Sequence, residues 1–499
     1  MTEFRITRRA VLSGIAGLAA LRWQGAAAQG ERPVVVGQTF LAESLDPADG
    51  VASWALQSHG VAETLFTVDR NGAVQPQLAR AVERDGEGWI IRLVPGIRFD
   101  DGSPLDAEAV RAALARSAAA NPRVTGQTGR LVMAVVDPLS LRIATERPVP
   151  TLAPLLAEFP MVIYRAAADR FHFTGPFRVA EYRRGDLVRL EPNPAFRVPA
   201  PRPPVVIRRI GDPQALALAL EAGELDLAFN LPAETLARLR RRDGVVVKSA
   251  PVAYQYMLLL NTARAPFDDA RVRRAVDLAI DRAALTQVLG AGEIATGMYP
   301  TFMPFAMTAA RAHDAARANA LLDAAGWRRE PGSARRRDGR ILEIALTAYP
   351  QRPDFLTIMP VVKAHLEQVG FRVRAETTEA ITPQLQAKRF DAAFWAMHTA
   401  PGGDGAFVLE QYLRSSGPLN FMSYASTALD ATLDRLRETE APEARAALMR
   451  AAHEPLFADA PIAFLLTPVW HVGLSRRLAG YEPSPSDYYI LRANLSLRG

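Results

Sequence analysis

Trp89-Ile90-Ile91-Arg92-Leu93-Val94-Pro95-Gly96-Ile97-Arg98-Phe99-Asp100-Asp101-Gly102-Ser103-Pro104-Leu105-Asp106-Ala107-Glu108-Ala109-Val110 is the stretch on which the fold turns. Trp89 to Leu93 is aromatic and β-branched and reads as a strand. Asp101-Gly102 supplies a turn. Asp106 suits the N-cap of a helix starting near Ala107, because its carboxylate can accept from the unpaired N–H groups of the first turn. Glu108 then stands where the helix dipole favours an acid.

Working outward, Val34 to Gly37 reads as a strand, Trp54 to Leu65 as a helix with one apolar face, and Val135 to Ala144 as a hairpin turning at Asp137-Pro138. Asp268 or Asp269 can cap a helix that places Val272, Val276, Ala279 and Ile280 together. Asp281 caps a second helix, ended by Gly290, and Ala315 to Ala325 forms a third, stopped by Gly326. Ile341 to Ala348, Phe371 to Glu376 and Phe390 to Met397 read as strands, and Met359 to Val369 as a helix. The chain is thus α/β. Its 499 residues exceed the roughly 250–300 that one core can serve, so two lobes are expected.

Composition narrows the class. Apolar residues make up 49% and charged residues 22%, which fits neither a disordered chain nor a multi-span membrane protein. The net charge is +6, but acids interleave with the bases and only Lys248, Lys363 and Lys388 are lysines. No basic stripe alternates with aromatics, so no nucleic-acid partner is expected. Much of the basicity is terminal. Thr7-Arg8-Arg9-Ala10-Val11-Leu12 resembles a twin-arginine export signal, a short apolar run follows, and Ala26-Ala27-Ala28 suits signal peptidase. Residues 1–28 are expected to be removed, leaving +3 and a periplasmic protein. With no cysteine there is no lipid anchor, disulfide or thiolate metal site.

Several enzyme motifs are missing: no Gly-x-Ser-x-Gly elbow, no His-Glu-x-x-His, no Walker loop. Gly290-Ala291-Gly292-Glu293-Ile294-Ala295 formally fits a dinucleotide fingerprint but follows a helix, so it reads as a helix stop. The seven histidines contain no i, i+4 pair, and neither a metal nor a cofactor is expected.

The Trp89–Val110 segment resembles the signature of the family 5 extracellular solute-binding proteins, the peptide and nickel receptors of ABC importers. Other segments resemble that family in order: Ser44-Leu45-Asp46-Pro47, Thr174-Gly175-Pro176-Phe177, Asn193-Pro194-Ala195-Phe196, Leu220 to Asp226, Leu260-Asn261-Thr262 through Asp281-Arg282, Ala320 to Trp327, and Asn420 to Tyr424. The resemblance implies a two-lobe periplasmic-binding-protein (Venus flytrap) fold, type II-like, with an inserted subdomain in lobe one. Lobe one is expected from residues 29–48, 165–260 and 470–499, the insert from 49–164, and lobe two from 261–469, with crossovers near Leu260-Asn261-Thr262 and Leu466-Thr467-Pro468. It further implies a monomer that holds a short peptide or similar solute between its lobes and passes it to ABC permease subunits. A nickel or other metal chelate is the alternative within the family; a periplasmic scaffold, a chaperone or an enzyme is the alternative outside it.

Peptide receptors of this family carry a Trp followed by an Asp-Tyr-Pro-Asp-Pro-like loop. This chain has Trp395-Ala396-Met397-His398 and then Gly402-Gly403-Asp404-Gly405. The candidate ligand residues are therefore Trp395, His398, Asp404 and, on the preceding strand, Tyr254 and Tyr256. The glycines around Asp404 would let a ligand approach the backbone closely. Where nickel receptors supply a clamping Arg, this chain reads Glu158-Phe159-Pro160-Met161-Val162.

Overall fold

Gly88–Leu93 is the strand that the opening segment encodes, and Ala107–Ala120 the helix; Asp106 caps it by accepting from the Ala109 N–H at 2.8 Å. Gly102 turns between them at φ 84°. These coordinates are a computed structural model that describes residues 32–497 except 70, 71, 127, 148, 169 and 310. The expected signal and its cleavage site lie outside the described residues. All the architecture below falls within the compact unit that begins at Pro33.

Two large sheets organise the protein into two α/β lobes. The first has seven strands, in the order Phe177–Arg183, Leu187–Pro192, Val205–Arg209, Val34–Gln38, Leu227–Phe229, Val469–Ser475 and Val245–Pro251. The second has six, in the order Glu293–Ile294, Ile462–Thr467, Tyr254–Leu260, Ala392–His398, Glu343–Ala348 and Arg372–Thr377. A four-stranded antiparallel sheet, Ala79–Asp85, Gly88–Leu93, Ser140–Thr145 and Leu131–Asp137, is inserted in sequence between strands of the first.

The chain passes between the large sheets twice. Val245–Pro251 belongs to the first and Tyr254–Leu260 to the second, so this crossover lies at residues 252–253 and not at 260–262. The reason is pairing. Tyr254–Leu260, buried throughout, pairs with Ala392–His398 on one side and Ile462–Thr467 on the other, both strands of the second sheet. The return crossover lies at Pro468, between Ile462–Thr467 and Val469–Ser475. Thr467 Oγ1 donates to Gln255 Oε1 at 3.0 Å and ties the two crossings together.

Helix ends follow local chemistry. Asp269, Asp281 and Asp314 each accept from first-turn N–H groups, and Gly290 closes the helix Arg282–Leu289 in the left-handed region at φ 65°. Two elements differ from expectation. The helix near Trp54 spans only Ala52–Ser58, because Gly60 turns at φ 67° against Leu491; a Cβ there would stand 2.8 Å from the Leu491 carbonyl oxygen. The helix read from Met359 begins at Pro353 and runs to Gln368. Pro353 fills the first turn, where no N–H is needed, and Pro360 lies on the exposed side, where water can satisfy the carbonyl it leaves unpaired.

Candidate ligand cleft

Arg352 and Asp487 form a buried ion pair where the elements of both sheets meet. Arg352 immediately precedes the helix Pro353–Gln368; Asp487 opens the short turn Asp487–Tyr489, whose Ser486 cap accepts from the Tyr488 N–H. The guanidinium Nη2 donates to Asp487 Oδ2 at 2.8 Å, with the side chains 8% and 0% exposed. The other carboxylate oxygen accepts from Tyr254 Oη–H at 2.5 Å and from the Trp54 indole N–H at 3.3 Å. Tyr256, on the same face of the strand, donates to Asp354 Oδ2 at 2.9 Å and accepts from the Trp470 indole at 3.4 Å. The Arg352 cation lies over the rings of Tyr254 and Trp470, 5.3 and 5.0 Å from their centroids.

The electrostatics match this geometry. Burial works to lower the Arg352 pKa, but the charge of Asp487 and the surrounding phenols outweigh it, and the group is raised. Burial drives the Tyr254 and Tyr256 phenols far above their ordinary value, with the neighbouring carboxylates Asp487 and Asp354 adding to it. Burial also pushes Asp354 up to about 6, against the Tyr256 hydrogen bond and the Arg352 charge. Only Nη2 of the Arg352 fork meets a protein acceptor among the described residues.

His398 joins this cluster through the register of the second sheet, which pairs it with Tyr254. Its ring lies 5.0 Å from Tyr254 and 5.1 Å from Tyr488, and burial lowers its pKa to about 3. Its Nδ1 is buried without a partner. Trp395 points to the other face of the strand, beside Phe421 and Tyr349, and its indole N–H is likewise buried and unpartnered.

Residues 73–419 match the family described as bacterial extracellular solute-binding proteins, family 5 Middle. The chain belongs to this family. Among curated relatives of this family 5 protein is the glutathione-binding protein GsiB of Salmonella paratyphi A, 26% identical over 487 residues that cover 91% of this chain and 92% of the relative. NikA from Staphylococcus aureus, solved in complex with Ni(L-His)2, superposes with a TM-score of 0.85 at 19% identity over 94% of this chain and 100% of its own. The dipeptide-binding protein of Pseudoalteromonas sp. SM9913, solved with Met-Leu, gives a TM-score of 0.80 at 17% identity over 91% and 98%. At such identities these structures bear on the fold alone.

Asp404 of this family 5 protein is paired within the chain. Its Oδ1 accepts from the Ala406 N–H at 2.8 Å, and its Oδ2 pairs with Arg445 Nη2 at 2.5 Å. The neighbouring glycines do allow a close approach, but the visitor is the inserted segment of the chain itself. A Cβ on Gly402 would stand 2.0 Å from the Pro154 carbonyl oxygen, and one on Gly403 2.4 Å from that of Gly72. Glu158, from the same inserted segment, accepts the Gly402 N–H at 2.9 Å.

The sequence therefore points to Tyr254, Tyr256 and His398 at one cluster, Trp395 on the reverse of the same strand, and Asp404 in a contact with the insert. Arg352, Asp354, Trp470 and Asp487 were not singled out. The junction Arg352-Pro353-Asp354, where a strand passes into a helix, is the one local signal that could have drawn attention to them. Among the described residues, Asp100, Asp101 and His172 come close enough together to hold a metal, but His172 bonds Asp100 at 2.7 Å and Arg165 pairs with Asp101, so the cluster is an internal ion network.

Proposed function

We propose that this family 5 protein is the substrate-binding component of an ABC importer and that it takes a small, peptide-like solute between its lobes. The observation that carries this reading is Arg352: a buried guanidinium beside two aromatic rings, with only Nη2 of its planar fork engaged among the described residues. Such a fork suits a carboxylate. Tyr254, Tyr256 and His398 form the wall beside it, and Trp395 a second aromatic surface. Asp404 acts by pairing Arg445 and shaping the loop that meets the insert.

We assign residues 33–48, 165–251 and 469–497 to lobe one, 49–164 to its insert and 254–467 to lobe two, hinged at 252–253 and 467–468. Contacts such as Thr39 Oγ1 with the Gln351 carbonyl, Arg209 with Glu379 and Glu158 with Gly402 join these parts and depend on the lobes being drawn together. A solute that touches both lobes gains these contacts only on closure, and shifts the equilibrium by its differential affinity; a swing from about 1:99 to 99:1 takes about 5.5 kcal/mol. The chain acts as a monomer and leaves the solute chemically unchanged. Arg8-Arg9 and Ala26-Ala27-Ala28 support export to the periplasm by the twin-arginine route. No helix among the described residues is long and apolar enough to cross a membrane.

Calorimetric titration of the purified protein with glutathione, trialanine and nickel–histidine complex, alongside small-angle scattering, tests the reading. Binding of glutathione or trialanine with a smaller radius of gyration and a raised melting temperature is expected. Binding of the nickel complex alone would overturn the peptide reading. Turnover of a bound solute would overturn the receptor reading.

A further inference from the structure

Glu158 is a further buried carboxyl, and no cation among the described residues pairs with it. It sits between two single-turn helices, Leu155–Ala157 and Phe159–Met161, and is 1% exposed. Oε1 accepts the Gly402 N–H; Oε2 is buried without a hydrogen-bond partner. It lines a small, nearly enclosed cavity with Pro154, Leu155, Asp404, Phe407 and Arg445. The cation in that cavity is committed elsewhere: Arg445 pairs with Asp404 and donates to the carbonyls of Leu436 and Thr439. A buried carboxylate needs a counter-charge or must take up a proton.

We propose that Glu158 receives the primary ammonium of the solute, in the cavity it shares with Asp404. An ammonium offers three N–H groups and no acceptor, which matches a site bordered by two carboxylates and whose one cation is already paired. The site is made from both sides of the contact between insert and second lobe, so the ammonium is held only when they meet. A run of packed rings connects the site's surroundings to the Arg352 end. The Phe159 ring meets Tyr488 at 5.6 Å, Tyr488 meets His398 at 5.1 Å, and Asp487 precedes Tyr488 in the chain. Burial already holds the Glu158 carboxyl well above the usual range, the Gly402 N–H opposing and the Asp404 charge adding to it; a bound cation reverses that balance.

This assignment rests on the peptide-receptor reading, and the test separates the two. A mixture of tripeptides lacking Lys and Arg, the same mixture N-acetylated, and an N-acetylated mixture containing Lys are each offered to wild type and to Glu158→Gln, and retained peptides are read by native mass spectrometry. The glutamine keeps an oxygen for the Gly402 N–H, and a melting curve confirms its fold. Wild type is expected to prefer free over acetylated amino termini by more than about tenfold, and E158Q to lose that preference. Retention of acetylated Lys peptides by wild type but not by E158Q upholds the ammonium site and makes a side chain its source. Equal retention of free and acetylated peptides by wild type, or an unchanged preference in E158Q, overturns the ammonium site while leaving the peptide receptor standing. Retention of none of the mixtures overturns both.

Discussion

At one end of the candidate cleft a buried cation meets a buried anion of the same chain; at the other a buried carboxyl meets only a backbone N–H and a second carboxylate. Arg352 and Asp487 neutralise each other and recruit Tyr254 and Trp54 around them. Glu158 has Asp404 as its charged neighbour, and Asp404 is already matched to Arg445. The first arrangement supports itself once formed, whereas the second is complete only when something else supplies positive charge. The first end is finished as an ion pair within the chain yet leaves the rest of the Arg352 fork open, while the second lacks a cation among the described residues.

Breaking the finished end should have the largest effect. Arg352→Met leaves Asp487 buried without its cation, and loss of one partner from such a pair costs about 3–5 kcal/mol. Urea unfolding is expected to show that loss, and trialanine binding to disappear with it. The double variant Arg352→Met/Asp487→Asn should recover most of the stability and none of the binding. If Arg352→Met is as stable as wild type, the two ends are not different in the way described.

A smaller effect is expected where the loop meets the insert. Gly402→Ala sets a Cβ against the Pro154 carbonyl, an overpacking that costs about 1–3 kcal/mol. Because the clash exists only when the parts are together, it falls on closure. Scattering should show no compaction with glutathione or trialanine, while circular dichroism stays unchanged. Normal compaction would mean that the loop yields without cost and that the glycines serve some other purpose.

A third effect concerns acid. Burial lowers His59 and His398 to about 3 and His453 and His471 to about 4, below the ordinary 6.5. Between these values the unfolded chain binds protons that the folded chain refuses, so stability falls as pH drops from 6.5 towards 4. Asp354, held at about 6 instead of 3.8, works the other way between those values, as does Glu158, whose carboxyl is also raised. Four histidines against two acids leave a net loss, read as a melting temperature that declines with acid. His398→Gln should flatten the slope, and an unaltered slope would show that its imidazole is not held neutral by the cleft.

Much of this architecture was legible in the sequence because its signals are local. Asp106, Asp269 and Asp281 cap helices through atoms two or three residues away, and Gly290 and Gly326 stop them by conformation alone. Tyr254 and Tyr256 share a face by their spacing alone, whereas their meeting with His398 depends on the pairing of two strands. The Arg352–Asp487 pair joins residues 135 positions apart and leaves no spacing to read. The first crossover was misplaced for a related reason: the run Tyr254 to Leu260 carries the same apolar content whichever sheet owns it, and only pairing with Ala392–His398 decides. Pro360 concealed the first turns of its helix, since a proline reads as a break unless its exposed side is known. The glycines beside Asp404 announced a close approach but not what approaches.

The strands that flank the hinge carry one more consequence. Val245–Pro251 and Val469–Ser475 are antiparallel neighbours, with Pro251 opposite Val469. Seen from the first sheet, everything between those two residues is the connecting loop of a single β-hairpin, grown until it became a lobe of its own. Replacing residues 252–468 with a two-residue Asn-Gly turn would remove no strand of that sheet.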